Sequence, residues 1–257
     1  MLLSIITINR NNFEGLRKTI ESVVSQTFND FEYIVIDGAS TDGSVAIVNE
    51  YATKISYWVS EPDKGIYNAM NKGIVKANGE YCLFLNSGDE FESPSSLQTF
   101  ISCVYEHVDI IYGNILVKGD TVEYVKSYPD KVTFSYFLRE SLAHPASLIR
   151  RELLLELGKY DEELKICSDW AFFVKAICLK NCSYKHLDIT LSTFYLDGFS
   201  SDSVNAELIE QEKKRVINES FAAFYEDYQR LESLEKFKAK FMDLKLVRGL
   251  KKIGLLK

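Results

Sequence analysis

Three short polar segments of this 257-residue chain each follow directly on an apolar run: residues 7–11, residues 37–42 and residues 86–89. The last segment, "NSGD", can place the Asn86 amide and the Asp89 carboxylate at the edge of a sheet. One carboxylate together with ligand phosphates and water is a typical arrangement around Mg²⁺ or Mn²⁺. The alternative for each aspartate in these segments is a turn in which it only caps the next helix.

The first hundred residues alternate between apolar runs and amphipathic segments, which indicates strands alternating with helices. The segment "FEGLRKTIESVVSQ", for example, carries Leu16, Ile20 and Val23 on one face of a helix. Apolar strands that alternate with helices predict an α/β fold whose mostly parallel sheet is covered on both faces. Because ligands of such sheets bind beyond the carboxyl ends of the strands, the three polar segments are expected to converge there.

The pattern divides the chain into a predicted domain over residues 1–200 and a helical extension over residues 201–257. Within the domain, residues 1–107 carry the regular alternation, and residues 108–200 mix short strands with a helix near "SDWAFFVKAICLK". The sequence has no internal repeat and no low-complexity linker. One large domain with an extension is therefore expected.

Composition and charge narrow the possible functions. A hydrophobic content of 46% supports a sizeable core, and the net charge of −7 argues against general nucleic-acid binding, which demands a basic surface. Neither GxGxxG nor GxxxxGK[ST] occurs, so a bound nucleotide would rely on side chains and a metal. The five cysteines lack a CxxC pair, and neither a signal segment nor a spanning apolar run is recognisable. A cytoplasmic protein with reduced thiols is expected.

Residues 236–257 form a basic segment with eight Lys or Arg residues, one acidic residue and apolar residues near helical spacing. Basic residues interleaved with an apolar stripe are typical of a helix that lies on an anionic membrane surface. The alternative is a helix that packs on the body of the protein or on a second copy, with its lysines in solvent. The oligomeric state stays open.

Several motifs together resemble a known family. They are "SIITINRNNFEGLRKTIESVVSQTFNDFEYIVIDGASTDGS", "SEPDKGIYNAMNKGIVKANGEYCLFLNSGDEF" and "CSDWAFFVKA". Over about residues 1–200 the chain strongly resembles the family 2 glycosyltransferases, with the motifs in the family's order. The resemblance implies the GT-A fold, with a nucleotide-binding half over residues 1–107 and an acceptor half over residues 108–200. It also implies inverting transfer from a nucleotide diphosphate sugar, with a UDP-sugar as the expected donor.

The resemblance assigns most of the polar segments to the donor. Asp37 matches the aspartate that hydrogen-bonds the nucleobase, whereas Asp42 is expected only to cap the following helix. Asp89 matches the metal-binding aspartate that ends the family's DxD motif, so Mn²⁺ or Mg²⁺ is the expected cofactor. Asn86 replaces the first acidic position of that motif and is a neutral, weaker ligand. The other residues expected at the nucleotide sugar are Thr7, Asn9, Arg10, Ser40, Asp63, Lys64 and Ser87.

The segment "CSDWAFFVKA" matches the family's acidic motif at the start of a helix, with Ser168 in place of the usual glutamate. Asp169 is then the expected catalytic base, which takes the proton from the acceptor hydroxyl group; otherwise it is a helix cap. His144 and Trp170 are expected on the acceptor side, or alternatively within the core.

The remaining histidines are expected to serve the structure, His186 on a strand and His107 at a helix end. Many relatives carry a late histidine as a metal ligand in the segment that corresponds to "FYLDGFSSD". No histidine stands in this segment, and Asp197 is a candidate substitute.

The expected function is sugar transfer to a saccharide or a polyprenyl-diphosphate-linked saccharide in bacterial O-antigen, capsule or exopolysaccharide synthesis. The resemblance implies work at the inner face of the cytoplasmic membrane, with residues 236–257 as the contact. An alternative is a catalytically idle subunit that binds nucleotide sugars, which the replacements at Asn86 and Ser168 motivate. A nucleotidyltransferase would need a Gly-rich basic phosphate loop near the N-terminus, and the sequence lacks one.

Overall fold

The computed structural model describes residues 3–104, 108–119, 121–196 and 203–243. The chain separates into two compact units, Met1–Glu212 and Lys213–Lys257. The domain boundary that the sequence suggests, at residue 200, therefore falls inside the first unit.

The described residues of the first unit contain a nine-stranded sheet in the order β3-β2-β1-β4-β8-β6-β9-β5, with β7 paired to β6. Its strands are β1 (Leu3–Asn9), β2 (Phe31–Asp37), β3 (Tyr57–Ser60), β4 (Tyr81–Phe84), β5 (Glu90–Phe91), β6 (Ile110–Lys118), β7 (Glu123–Lys126), β8 (Ser147–Arg150) and β9 (Tyr184–Tyr195). The pairs β1–β2, β1–β4, β2–β3 and β6–β9 are parallel, whereas β8 is antiparallel to both β4 and β6. All strands except β5, β7 and β8 therefore point the same way, which confirms the predicted mostly parallel sheet.

Helices connect these strands and continue into the second unit. In the described part of the chain they are α1 (Phe13–Val24), α2 (Ser44–Glu50), α3 (Ile66–Lys76), α4 (Ser96–Ser102), α5 (Phe134–Phe137), α6 (Arg151–Glu156), α7 (Ser168–Cys178), α8 (Ala206–Ser220) and α9 (Ala222–Asp243). The unit boundary falls within α8, so the second unit consists of the end of α8, then α9 and the residues that follow. The helical C-terminal region that the sequence predicts is confirmed.

The central strands β1 and β4 are buried along their whole length, which explains their continuous apolar runs. Leu16, Ile20 and Val23 form the buried stripe of α1, as its sequence periodicity predicts. Backbone hydrogen bonds join the ends of these strands: the Gly38 amide donates to the Asn9 carbonyl at 2.8 Å, and the Ser87 amide donates to the Ile8 carbonyl at 3.1 Å. The three polar segments therefore begin side by side, as expected.

Candidate active site

A cleft of about 1370 Å³ lies at the carboxyl ends of β1 and β4. One side of the cleft is formed by residues that follow β1 and β4 and by the exposed face of α1. The other side is formed by the start of α7, the turn at His144 and the strands β6, β7 and β9. The cleft thus lies between the regular first half of the domain and its irregular second half.

Asp37 lies fully buried at the end of β2, beside this cleft. Its Oδ1 accepts hydrogen bonds from Asn9 Nδ2 at 2.9 Å and Ser40 Oγ at 2.6 Å. Its Oδ2 accepts from the Ser40 amide at 2.9 Å and Ser60 Oγ at 2.6 Å. Burial alone would raise the pKa of Asp37, but the hydrogen bonds from Ser40, Ser60 and Asn9 outweigh it and lower the pKa. Asp37 is therefore an ionised group whose two oxygens are both engaged inside the protein.

Asn9 is the neighbour of Asp37 that borders the cleft. Its Nδ2 is turned to Asp37 and, at 3.2 Å, to Ser40 Oγ, and its buried Oδ1 has no hydrogen-bond partner among the described residues. A buried acceptor without a partner costs about 1–3 kcal/mol. Asn9 Oδ1 is therefore a hydrogen-bond acceptor that an N–H or O–H group of a bound ligand would satisfy.

Asp42 precedes Gly43, the N-cap residue of α2, and its carboxylate accepts hydrogen bonds at the starts of two helices. Its Oδ1 accepts a hydrogen bond from the Ser44 amide at 3.0 Å, at the start of α2, and its Oδ2 accepts from the Phe13 amide at 2.8 Å, at the start of α1. The hydrogen bond from the Ser44 hydroxyl is the main cause that lowers the pKa of Asp42. One carboxylate thus joins the starts of α1 and α2.

The turn after β4 presents Asn86, Ser87 and Asp89 to the cleft. Gly88 adopts a left-handed conformation with φ of 109°, which a residue with a side chain would adopt only with strain. The Thr19 hydroxyl of α1 donates to the Asp89 carbonyl at 2.7 Å and accepts from the Gly88 amide at 3.0 Å. The turn is therefore anchored to α1, which fixes where the Asp89 side chain starts.

This turn fits a divalent cation that is held partly by its ligand. Asp89 offers a carboxylate at the cleft, and Asn86 offers an amide oxygen that is buried and has no partner among the described residues. Among the same residues, no group of three or more His, Cys, Asp or Glu side chains could hold a metal ion. The donor set suits Mg²⁺ or Mn²⁺ only if phosphate oxygens or water complete the coordination.

The segment before α3 contributes Asp63 and Lys64. Asp63 borders the cleft with a side chain that is only 5% exposed, and it pairs with Lys72 Nζ at 2.5 Å. Lys64 is exposed, and its backbone amide donates to Asn68 Oδ1 at 3.2 Å. Asp63 is therefore held in place by α3, whereas the Lys64 side chain extends into solvent.

Asp169 borders the cleft from the first turn of α7. The Tyr67 hydroxyl, on α3, donates to Asp169 Oδ1 at 2.9 Å and also to the backbone carbonyl of Ile166. The turn before α7 is held from the other side by Glu212 of α8. The Glu212 carboxylate accepts from the backbone amides of Lys165 at 2.6 Å, Ile166 at 3.0 Å and Cys167 at 2.9 Å.

The two residues predicted on the acceptor side are both buried. His144 borders the cleft, stacks on Phe84 with ring centroids 4.7 Å apart and shares a hydrogen bond of 2.7 Å with the Tyr160 hydroxyl. Burial lowers the pKa of His144, and the negative charge of Asp169, which alone would raise this pKa, does not outweigh it. The ring is therefore neutral at neutral pH. Trp170 is absent from the cleft wall, and its Nε1 donates to the Phe137 carbonyl at 2.7 Å. Trp170 therefore joins α7 to α5.

Of the thirteen residues predicted for the site, eight line the cleft and five do not. Those at the cleft are Asn9, Arg10, Asp63, Asn86, Ser87, Asp89, His144 and Asp169. Those away from the wall are Thr7, Asp37, Ser40, Lys64 and Trp170. Thr7 is fully buried, with its hydroxyl donating to the Leu85 carbonyl at 2.7 Å. His107 and Asp197 lie outside the described residues, as does the chain beyond Asp243.

The model of the family described as "Glycosyl transferase family 2" matches residues 4–158. An uncharacterized glycosyltransferase of Mycobacterium tuberculosis is 33% identical over 179 residues, which cover 68% of each chain. The chain belongs to glycosyltransferase family 2.

Two solved structures share the GT-A fold of this chain. Residues 1–349 of TarS from S. aureus, solved in complex with UDP, superpose with a TM-score of 0.62 at 23% identity over 76% of this chain. The match spans 60% of that TarS fragment. The mannosyltransferase PcManGT from Pyrobaculum calidifontis, in complex with GDP-Man and Mn²⁺, gives a TM-score of 0.59 at 16% identity, over 75% of this chain and 56% of that chain. The predicted GT-A fold is confirmed.

The structure adds residues to this candidate site that the sequence does not single out. Tyr67 and Glu212 hold Asp169 and the turn before it, although they lie far from Asp169 along the chain. Lys18 of α1 borders the cleft, where it pairs with Glu90 at 2.9 Å and lies over the Tyr195 ring at 3.3 Å. Tyr67 lies two residues after the motif "DKG", and this proximity is the signal in the sequence that could have indicated it.

Two further expectations concern the whole chain. None of the five cysteines, all of which lie in the described part of the chain, forms a disulfide, and Cys82 and Cys182 are buried with pKa values that burial raises to about 12. None of the helices in the described part of the chain combines the length and apolar character that a membrane span requires.

Proposed function

We propose that the protein transfers a sugar from a nucleotide diphosphate sugar to a hydroxyl group of an acceptor, with inversion at the anomeric carbon. The observation that carries the proposal is the shared cleft, which Asp89 and Asp169 border from opposite halves of the domain. A carboxylate suited to a cation and a carboxylate suited to proton removal therefore have access to one substrate. The TarS complexes with UDP and UDP-GlcNAc favour a UDP-sugar donor, while the complex of the mannosyltransferase contains GDP-Man and Mn²⁺.

On the donor side, we assign the nucleobase to Asn9 and the diphosphate to the turn at residues 86–89. Asp37 supports the base contact through Asn9, because its own oxygens are engaged by four protein donors. Arg10 lies exposed at the cleft and carries a charge that suits phosphate. Mn²⁺ or Mg²⁺, when bound at Asp89 and Asn86, supplies Lewis-acid stabilisation of the leaving diphosphate.

In the reaction, Asp169 accepts the proton of the acceptor hydroxyl group as its oxygen attacks the anomeric carbon. A new bond forms between the acceptor oxygen and that carbon, and the bond from the carbon to the diphosphate oxygen breaks on the opposite face. The electron pair of the broken bond leaves with the nucleoside diphosphate. Proton removal by a positioned base commonly contributes about 10²–10⁴-fold to the rate.

The acceptor is proposed to be a saccharide or a polyprenyl-diphosphate-linked saccharide of bacterial O-antigen, capsule or exopolysaccharide synthesis. The acceptor side of the cleft supports this class because its wall is apolar and aromatic. This wall includes Ile115, Val117, Tyr124, Tyr128 and Phe194. Aromatic faces stack on sugar rings, and apolar side chains suit a lipid. We further propose that residues 236–257 bring the protein to the anionic inner face of the cytoplasmic membrane.

The first experiment defines the donor. Thermal unfolding is followed with UDP-, GDP- and dTDP-sugars, each with and without Mn²⁺. We expect the unfolding temperature to rise with UDP-sugars and to rise further when Mn²⁺ is present, because a ligand that binds only the folded state stabilises it. The absence of a shift with every nucleotide sugar would contradict the proposal.

The second experiment tests the base. Release of UDP from a bound UDP-sugar in the presence of Mn²⁺ is compared between the natural protein, Asp169→Asn and Asp30→Asn, which alters an exposed carboxylate in the loop before β2. We expect Asp169→Asn to lower the rate by about 10²–10⁴-fold with UDP binding retained, and Asp30→Asn to change neither. Full turnover in Asp169→Asn would refute the assignment of the base. A natural protein that binds UDP-sugars without turnover on any acceptor would favour the idle alternative.

A further inference from the structure

Tyr67 connects α3 to the start of α7 at the point where Asp169 enters the cleft. Its side chain is buried, and its ring packs against Tyr160 with centroids 5.6 Å apart. Its hydroxyl donates to Asp169 Oδ1 at 2.9 Å and to the carbonyl of Ile166, a residue that also borders the cleft. Tyr67 itself lines the cleft, so this contact lies at the site and not beneath it.

The hydroxyl keeps its proton and therefore acts as a donor. Burial, followed by the negative charge of Asp169, raises the pKa of Tyr67 well above its usual value. One proton is shared between a carboxylate oxygen and a carbonyl oxygen of the same turn. Because Oδ1 accepts this hydrogen bond, rotation of the Asp169 carboxyl group is restricted, and with it the position of Oδ2.

We propose that Tyr67 is a positioning residue for glycosyl transfer, which holds the Asp169 carboxyl group in the orientation that receives the proton of the acceptor hydroxyl group. The inference rests on the proposed role of Asp169 as the base. A carboxylate on the first turn of a helix can rotate about its side-chain bonds, and rotation would move the accepting oxygen away from the acceptor. A hydrogen bond from a rigid, buried phenol to Oδ1 disfavours this rotation and leaves the second oxygen to accept the proton.

A purely structural role for Tyr67 makes a different prediction. Tyr67 lies in the first turn of α3, three residues after Lys64 in the segment on the donor side. If its hydroxyl only fastened α3 to the turn before α7, its loss would disturb this segment and weaken donor binding. A positioning role lowers kcat and leaves the KM of the donor and the affinity for UDP unchanged.

The test is Tyr67→Phe, which removes one oxygen and keeps the ring. We expect kcat to fall roughly tenfold to hundredfold, the factor that a hydrogen bond to a charged group is commonly worth, with KM of the UDP-sugar and Kd of UDP within about twofold. Tyr81→Phe is the matched control, because the buried Tyr81 hydroxyl donates to the Val108 carbonyl at 2.8 Å and Tyr81 is absent from the cleft wall. This control should change kcat by less than about twofold.

Several outcomes would overturn the inference. One is a kcat of Tyr67→Phe equal to that of the natural protein. Another is a rise in the KM of the UDP-sugar by the same factor as the fall in kcat, and a third is a Tyr67→Phe variant that does not fold. Comparison with Asp169→Asn separates this inference from the proposed function. If Asp169→Asn is inactive and Tyr67→Phe is fully active, only the role of Tyr67 is wrong; if Asp169→Asn is fully active, the proposed base itself is wrong.

Discussion

The Asp37 carboxylate accepts hydrogen bonds from three side chains, and of these only Asn9 borders the cleft. Asp37 therefore orients the Asn9 amide, because Nδ2 must face the negative charge and Oδ1 must then point elsewhere. A substitution of Asp37 should therefore change donor binding indirectly, by releasing the Asn9 amide. It should also remove a stabilising charge from the end of β2.

We expect Asp37→Asn to lower the free energy of unfolding at neutral pH by about 1–3 kcal/mol, since its amide group cannot accept from all four donors. The folded state lowers the pKa of Asp37, so its ionisation stabilises the fold above the unfolded-state pKa of about 4. This contribution is lost as pH falls through the folded-state value. In urea unfolding, the difference in the free energy of unfolding between the natural protein and Asp37→Asn should therefore be constant from about pH 7 to 5. It should be smaller near about pH 3.

Asp30→Asn serves as the control for this measurement, because Asp30 is exposed. It should leave the free energy of unfolding unchanged within about 0.5 kcal/mol. A gap between Asp37→Asn and the natural protein that stays constant down to about pH 3 would show that Asp37 does not contribute through its charge.

Among the elements, α8 supports the site through one side chain. Glu212, which is only 7% exposed, binds the three consecutive backbone amides of residues 165–167 that precede α7. Those amides belong to the turn whose carbonyl at Ile166 accepts from Tyr67. The position of Asp169 is thus set by α3 on one side and by α8 on the other.

Glu212→Gln should destabilise the protein by about 1.5–3 kcal/mol, because an NH₂ group replaces an oxygen that accepts backbone hydrogen bonds. We also expect a lower rate of UDP release, since the turn that carries Asp169 loosens. Glu207→Gln, an exposed position of the same helix, should change neither quantity. Equal urea midpoints and rates for the two variants would mean that the turn holds its shape without Glu212.

The order of the strands shows which parts of this architecture the sequence could predict. The run β1 to β4 follows from local periodicity, because each apolar strand and its helix are adjacent in the chain. The insertion of β8 between β4 and β6 depends on pairings such as Leu83 with Leu148, which no local pattern encodes. The hydrogen bond from Ser60 to Asp37 Oδ2 has the same origin, since Ser60 lies 23 residues away along the chain. Contacts between distant segments also bring Tyr67 and Glu212 to Asp169.

At the scale of the whole molecule, charge is distributed unevenly along the chain. The net charge of −7 combines about +7 in residues 236–257, from eight basic residues and one acidic residue, with about −14 in residues 1–235. An anionic membrane would attract the basic segment and repel the rest of the chain, so the attraction should depend on these few residues. The charge of residues 236–257, more than the net charge of the whole chain, is expected to decide whether the protein binds an anionic membrane.

We expect the full chain to co-sediment with vesicles that contain anionic lipid and not with neutral vesicles. Neutralising Lys245, Arg248, Lys251 and Lys252 together should weaken this binding by at least about tenfold, because each basic residue near such a surface contributes about 1 kcal/mol. Binding of the natural chain should also weaken as salt is added. Neutralising four exposed lysines of the first unit, Lys54, Lys131, Lys180 and Lys185, is the matched control and should not weaken binding. If the tail variant binds as the natural chain does but loses a dimer in solution, the segment is a contact between two copies and the membrane proposal is wrong.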